Sequence, residues 1–114
     1  MTLTVFSHSD CLEHSPPDGH PERPARLEAA LRGIEQLSDF RMLDAQPVTR
    51  EQLDRAHGAD YLDRLSALNA EGQHLALDED THMGPGSLRA AALAAGAACQ
   101  SVEAVMDPGL PDRA

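Results

Sequence analysis

An α/β fold is the class this sequence predicts, and three observations carry it. A short β-branched run opens the chain. Apolar residues at helical spacing follow, and the alternation of extended and helical patterns then recurs to the end of the readable sequence.

The opening run "TLTVF" (2–6) reads as a strand buried on both faces, bounded by Ser7 and the polar "SHSDC". A loop follows, "HSPPDGHPERPARL" (14–27), which packs two histidines, four prolines and an Arg-x-x-Arg pair ahead of a helix. Pro24 suits the first helical turn, where its missing N–H costs nothing. Leu27, Leu31, Ile34 and Leu37 then recur along one stripe, which predicts a helix that carries them all. "RMLDAQPV" (41–48) reads as a second strand ended by Pro47. Thr49 followed by Gln52 fits a capping box and starts a short helix through about His57. The stretch 59–72 places Leu62, Leu65 and Leu68 on one face of a further helix that Gly72 closes. "QHLALDEDTHMGPGS" (73–87) reads as a loop. The stretch 87–106, "SLRAAALAAGAACQSVEAVM", is a helix apolar nearly all round, whose alanines and Gly96 permit close approach of a neighbouring backbone. A turn-rich polar segment, "DPGLPDRA", closes the sequence.

Composition limits what such a chain does. The 114 residues are 41% hydrophobic, but the only aromatics are Phe6, Phe40 and Tyr61, and alanine removes little area from water, so the core is thin. Two short strands do not make a stable sheet, and nothing in the sequence offers to cover the alanine-rich helix. Residues 1–114 are therefore expected to be an incomplete N-terminal part of one larger catalytic domain. Nine arginines and no lysine face nineteen acids, a net charge of −10, which repels phosphate and argues against nucleic acid or an anionic membrane as partner. No apolar run reaches membrane-spanning length. Two distant cysteines, Cys11 and Cys99, point to reduced thiols and a cytoplasmic protein.

Potential metal ligands gather at His8, Cys11, His14, Asp18 and His20. Structural zinc needs four ligands in a tetrahedron, and Cys11, His14 and His20 supply a loose three without paired cysteines, so a proline-rich structural corner is the preferred reading. A small structural-zinc protein, or an interaction module docking through the alanine-rich helix, are the alternatives. Gly84 and Gly86 before the last helix read as a helix start, since Asp78, Glu79 and Asp80 oppose a bound phosphate. Ser87 lies in no nucleophile-elbow sequence, and no nucleophile–base pair is visible at a recognisable spacing.

The segments "CLEH" (11–14), "GHPERPARL" (19–27), "RAHGADYLDRL" (55–65), "DEDT" (78–81) and "SLRAAALAAGAA" (87–98), in this order, resemble the N-terminal part of the histone deacetylase and acetylpolyamine amidohydrolase family. The resemblance implies the N-terminal portion of an arginase/deacetylase-like three-layer fold with a central parallel sheet. It also implies a zinc-dependent hydrolase of N-acetyl amides on lysine or polyamines. The Gly-His-His segment and the Asp and His zinc ligands of that family are absent from these residues, so this chain alone is expected to bind no zinc and to be inactive. Two positions carry over. Arg26 matches the arginine under the catalytic pocket, where a guanidinium holds backbone carbonyls; as a plain residue it is a surface arginine on a first helical turn. Asp80 matches the rim aspartate that accepts hydrogen bonds from substrate amides; as a plain residue it is an acid capping the next helix.

Overall fold

The computed structural model describes residues 2–107 and Gly109, so most of the turn-rich segment expected at the C-terminus lies outside the described residues. Strand β1 (Leu3–Ser7) runs into a 3₁₀ helix over Ser9–Glu13, the proline-rich loop, and helix α1 (Pro24–Ile34). Strand β2 (Phe40–Asp44) then pairs with β1 in parallel, with Leu3 opposite Phe40 and Ser7 opposite Asp44. This is the helical crossover that a parallel pair requires. The α/β class and the parallel pairing expected from the sequence are both present.

Local chemistry explains where most elements start and stop. Helix α1 has Pro24 at its first position and ends at Ile34, three residues before Leu37, so the apolar stripe outlasts the helix and Leu37 is exposed. Helix α2 (Arg50–Asp54) begins with the capping box foreseen at Thr49: its hydroxyl accepts from the Gln52 N–H, and the Gln52 side chain accepts from the Thr49 N–H. Helix α3 (Ala59–Ala70) is joined to α2 by Arg50, whose guanidinium bonds Asp54 at 2.9 Å and Asp63 at 3.0 Å. Its chain reverses at Gly72, where φ of +67° favours glycine.

Three further expectations need correction. Strand β1 is half-buried rather than buried on both faces, because α4 covers one side of it. The stretch 73–87 is not simply a loop: Leu75–Ala76 (β3) and His82–Met83 (β4) form a small antiparallel ladder. Two residues per strand give no alternation to read. The Asp78 carboxylate creates the turn by accepting the N–H groups of Asp80 and Thr81 at 2.9 and 2.7 Å. Those bonds hold its carboxyl below the usual aspartate range, the Asp80 amide being the leading cause and Thr81 the next.

The third correction concerns helix α4 (Ser87–Met106), which is covered on one face by this chain's own residues. Leu93 is fully buried, with Ala90 and Gly96 on the same stripe, against β1, the 3₁₀ helix and the strap that follows β2. That strap, residues 45–49, crosses the helix in direct contact. The Val48 N–H donates to the Ala92 carbonyl at 2.9 Å, and the Gln100 side chain accepts from the Gln46 N–H at 2.8 Å. Gly96 lies between these two anchors, where a Cβ would overlap the Gln46 carbonyl oxygen. The close backbone approach read from the sequence is thus made by this strap. The last turns of α4 differ: Val102, Val105 and Met106 are 60–79% exposed. Among the described residues no helix is long and apolar enough to cross a membrane.

Candidate functional site

A cavity of about 560 Å³ opens between the end of β1, helix α1, helix α3 and the alanine face of α4. Phe6, Leu27, Leu65 and Ala94 make its apolar wall, and His14, Glu22, Arg26 and Ser87 bring polar groups to it. The proline-rich loop meets there two segments some 60 residues further along the chain, the β3–β4 turn and the N-terminus of α4.

Hydrogen bonds from two histidines join them. His14 Nδ1 lies 2.7 Å from the Ser87 hydroxyl, and its Nε2 lies 3.3 Å from the Glu22 carboxylate. A carboxylate only accepts, so Nε2 carries a proton and donates it to Glu22, while Nδ1 shares the second bond with the Ser87 hydroxyl, which both donates and accepts. The Ser87 oxygen in turn accepts the Gly84 N–H at 2.8 Å. His20 is fixed by the same logic. Its Nδ1 accepts the Glu22 N–H at 3.1 Å, which leaves Nε2–H to donate to the Asp80 carbonyl at 3.0 Å. Its ring meets that of His82 edge-on, with centroids 5.4 Å apart. Glu22 thus serves both histidines, one through its side chain and one through its backbone.

Sequence separation hid the contact between Ser87 and His14, 73 residues apart. The only local sign was a serine at the first position of a helix. The bond is a tether between loop and helix, which suits the corner reading of the proline-rich loop.

Arg26 stands on the first turn of α1, exposed, with its side chain toward the cavity. Its guanidinium makes no hydrogen bond or ion pair within the described residues, so the backbone carbonyls expected around it are not supplied there. Asp80 does not cap α4. That helix begins after Gly86, with no side-chain cap, seven residues beyond Asp80. Its backbone is held on both sides, by Asp78 and by His20, and its carboxylate is exposed beside the cavity-lining Thr81 and His82.

Among the described residues no three His, Cys, Asp or Glu side chains are grouped so that they could hold a metal ion. The structural-zinc alternative therefore finds no support: His14 and His20 are engaged as described, and Cys11 Sγ faces the Ala90 carbonyl at 4.0 Å. These residues do not fit a zinc ion.

Comparison with known proteins agrees with the motifs. The histone deacetylase domain matches residues 20–111, and the chain belongs to that family. A histone deacetylase-like amidohydrolase of Pseudomonas aeruginosa is 36% identical over 91 residues, which are 77% of this chain and 24% of the relative. The crystal structure of the HDA15 HD domain superposes with a TM-score of 0.67 at 26% identity, covering 84% of this chain and 30% of that one. The chain therefore spans about a quarter to a third of the proteins it resembles.

Proposed function

We propose that this chain forms the N-terminal wall of the catalytic domain of a cytoplasmic, zinc-dependent hydrolase that removes acetyl groups from lysine side chains or polyamines. The observation that supports this most is the family match over residues 20–111, which includes the second half of the proline-rich loop, the β3–β4 turn and the N-terminus of α4, all of which line the cavity. In this reading the zinc is held by residues outside this chain. What these residues contribute is shape and orientation: an apolar wall that excludes water, a guanidinium at Arg26 and a carboxylate at Asp80.

The test is a graft. Residues 20–111 replace the matching stretch of the Pseudomonas aeruginosa relative, and hydrolysis of an acetyl-lysine peptide and an acetylated polyamine is measured for the graft and for the 114-residue chain alone. The graft is expected to turn over at least one substrate and the chain alone neither. Turnover by the chain alone, or a folded, zinc-loaded graft with none, would overturn the reading.

Arg26 has its own expected result in the graft. With the remaining segments present, the guanidinium gains backbone carbonyls as partners, and each charge-assisted bond is worth about 1.5–3 kcal/mol. Arg26→Ala is therefore expected to lower turnover roughly tenfold or more, the equivalent of about 1.4 kcal/mol, while Arg26→Lys recovers only part because it lacks the planar fork. Unchanged turnover in Arg26→Ala would return it to the role of a surface arginine.

A further inference from the structure

We infer that His20 is a positioning residue, whose Nε2–H fixes the backbone of the Asp80 turn and so sets where the Asp80 carboxylate stands next to the cavity-lining Thr81 and His82. The consequence for substrate rests on the hydrolase reading; the hydrogen bond itself does not.

Asp80 is two residues from the nearest β3–β4 ladder position, and its side chain is used by nothing within the described residues. A turn on a ladder of two residues per strand is a weak platform. Asp78 ties the turn to itself but gives it no fixed place relative to the rest of the domain. His20 gives it one. Its Nε2–H reaches the Asp80 carbonyl from a loop 60 residues away, and its ring packs edge-on to His82 at the base of the same turn. The histidine is itself held: the Glu22 N–H on Nδ1 selects the tautomer that has a proton to give at Nε2. The loop that carries it is pinned at its other end, where His14 meets Ser87 at the start of the longest helix. The path from α4 through His14, Glu22 and His20 to Asp80 is continuous, and its last link is the one that reaches the turn.

The experiment uses the 114-residue chain labelled with ¹³C and ¹⁵N. In the unsubstituted chain the His20 ring is expected to show a protonated Nε2 and an unprotonated Nδ1. His20→Asn keeps an acceptor near the Nδ1 position for Glu22 and removes the donor to Asp80; His20→Gln keeps a donor near the Nε2 position. His20→Asn is expected to shift the Asp80 carbonyl resonance and to speed amide exchange at Thr81, whose N–H the turn holds, by roughly fivefold, the loss of one net hydrogen bond. His20→Gln is expected to restore both toward the original values. Resonances of Thr49 and Gly96, remote from the turn, report that the fold is intact. An unmoved Asp80 carbonyl in a folded His20→Asn chain, or identical spectra at Asp80 for the Asn and Gln variants, overturns the inference. Should His20→Asn fail to fold, the ring tautomer of the unsubstituted chain decides: a proton on Nδ1 is incompatible with the proposed bond. None of these readings needs turnover, so an inactive graft would sink the hydrolase reading and leave this one standing.

Discussion

Gly96→Ala is expected to destabilise the 114-residue chain by about 3 kcal/mol or more, although the same change in an ordinary helix interior stabilises. Alanine exceeds glycine in helix propensity by about 0.8–1.0 kcal/mol. At Gly96 that gain is overwhelmed, because the added Cβ falls on the Gln46 carbonyl oxygen and 2.8 Å from the Val48 N atom. Both are backbone atoms and have no rotamer in which to escape. The strap over residues 45–49 must lift from α4, and the Val48–Ala92 and Gln46–Gln100 hydrogen bonds go with it. Each is worth about 1 kcal/mol net, and overpacking adds about 1–3 kcal/mol. Gly33 supplies the control. It lies within α1 with nothing near its missing Cβ, so Gly33→Ala is expected to stabilise by about 0.5–1 kcal/mol. Denaturant melts of the two variants against the parent test the pair, and a Gly96→Ala chain as stable as the parent would show that the strap does not lie on the helix.

The second large effect is expected at Asp80 in the grafted enzyme. Asp80→Ala is expected to cut turnover of an acetyl-lysine peptide roughly 100-fold, the scale on which a misplaced substrate loses rate. A carboxylate accepting two amide hydrogen bonds holds the scissile bond at one depth. Asp80→Asn keeps one acceptor oxygen and is expected to retain part of the activity. The substitution is a clean one, because the bonds that Asp80 makes with Asp78 and His20 use its backbone N–H and carbonyl, which alanine retains. Thermal stability and zinc content are therefore expected to stay near those of the parent graft. A fall in melting temperature with kinetics intact would mean that the side chain serves the turn and not the substrate.

Much of this was readable from the residues. The β-branched opening run, Pro24 at a helix start, the Thr49–Gln52 box, Gly72 as a reversal and the long alanine-rich helix each have a local cause, and each appears where that cause puts it. The family, too, was legible, because its signature is a set of contiguous words such as "GHPERPARL" that survive without any knowledge of the fold. What misled was the reading of features one stretch at a time. Leu37 continues an apolar stripe beyond the end of its helix, since periodicity records where apolar residues fall and not where backbone bonds stop.

The sequence by itself therefore determined β1, β2 and the helices α1 to α4, their order and the family, because capping, propensity and apolar spacing act over a few residues. Only the tertiary structure decided that a strap of this same chain covers α4 at Gly96, that the acid run at 78–80 is a turn rather than a helix cap, and that His14 and His20 hold two ends of one site. The strap and the two histidines depend on partners 44 to 73 residues away, and no local preference encodes a hydrogen bond whose two ends meet only after the chain has packed; the turn at 78–80 is local, but a run of three acids does not say which carboxylate folds back on the backbone.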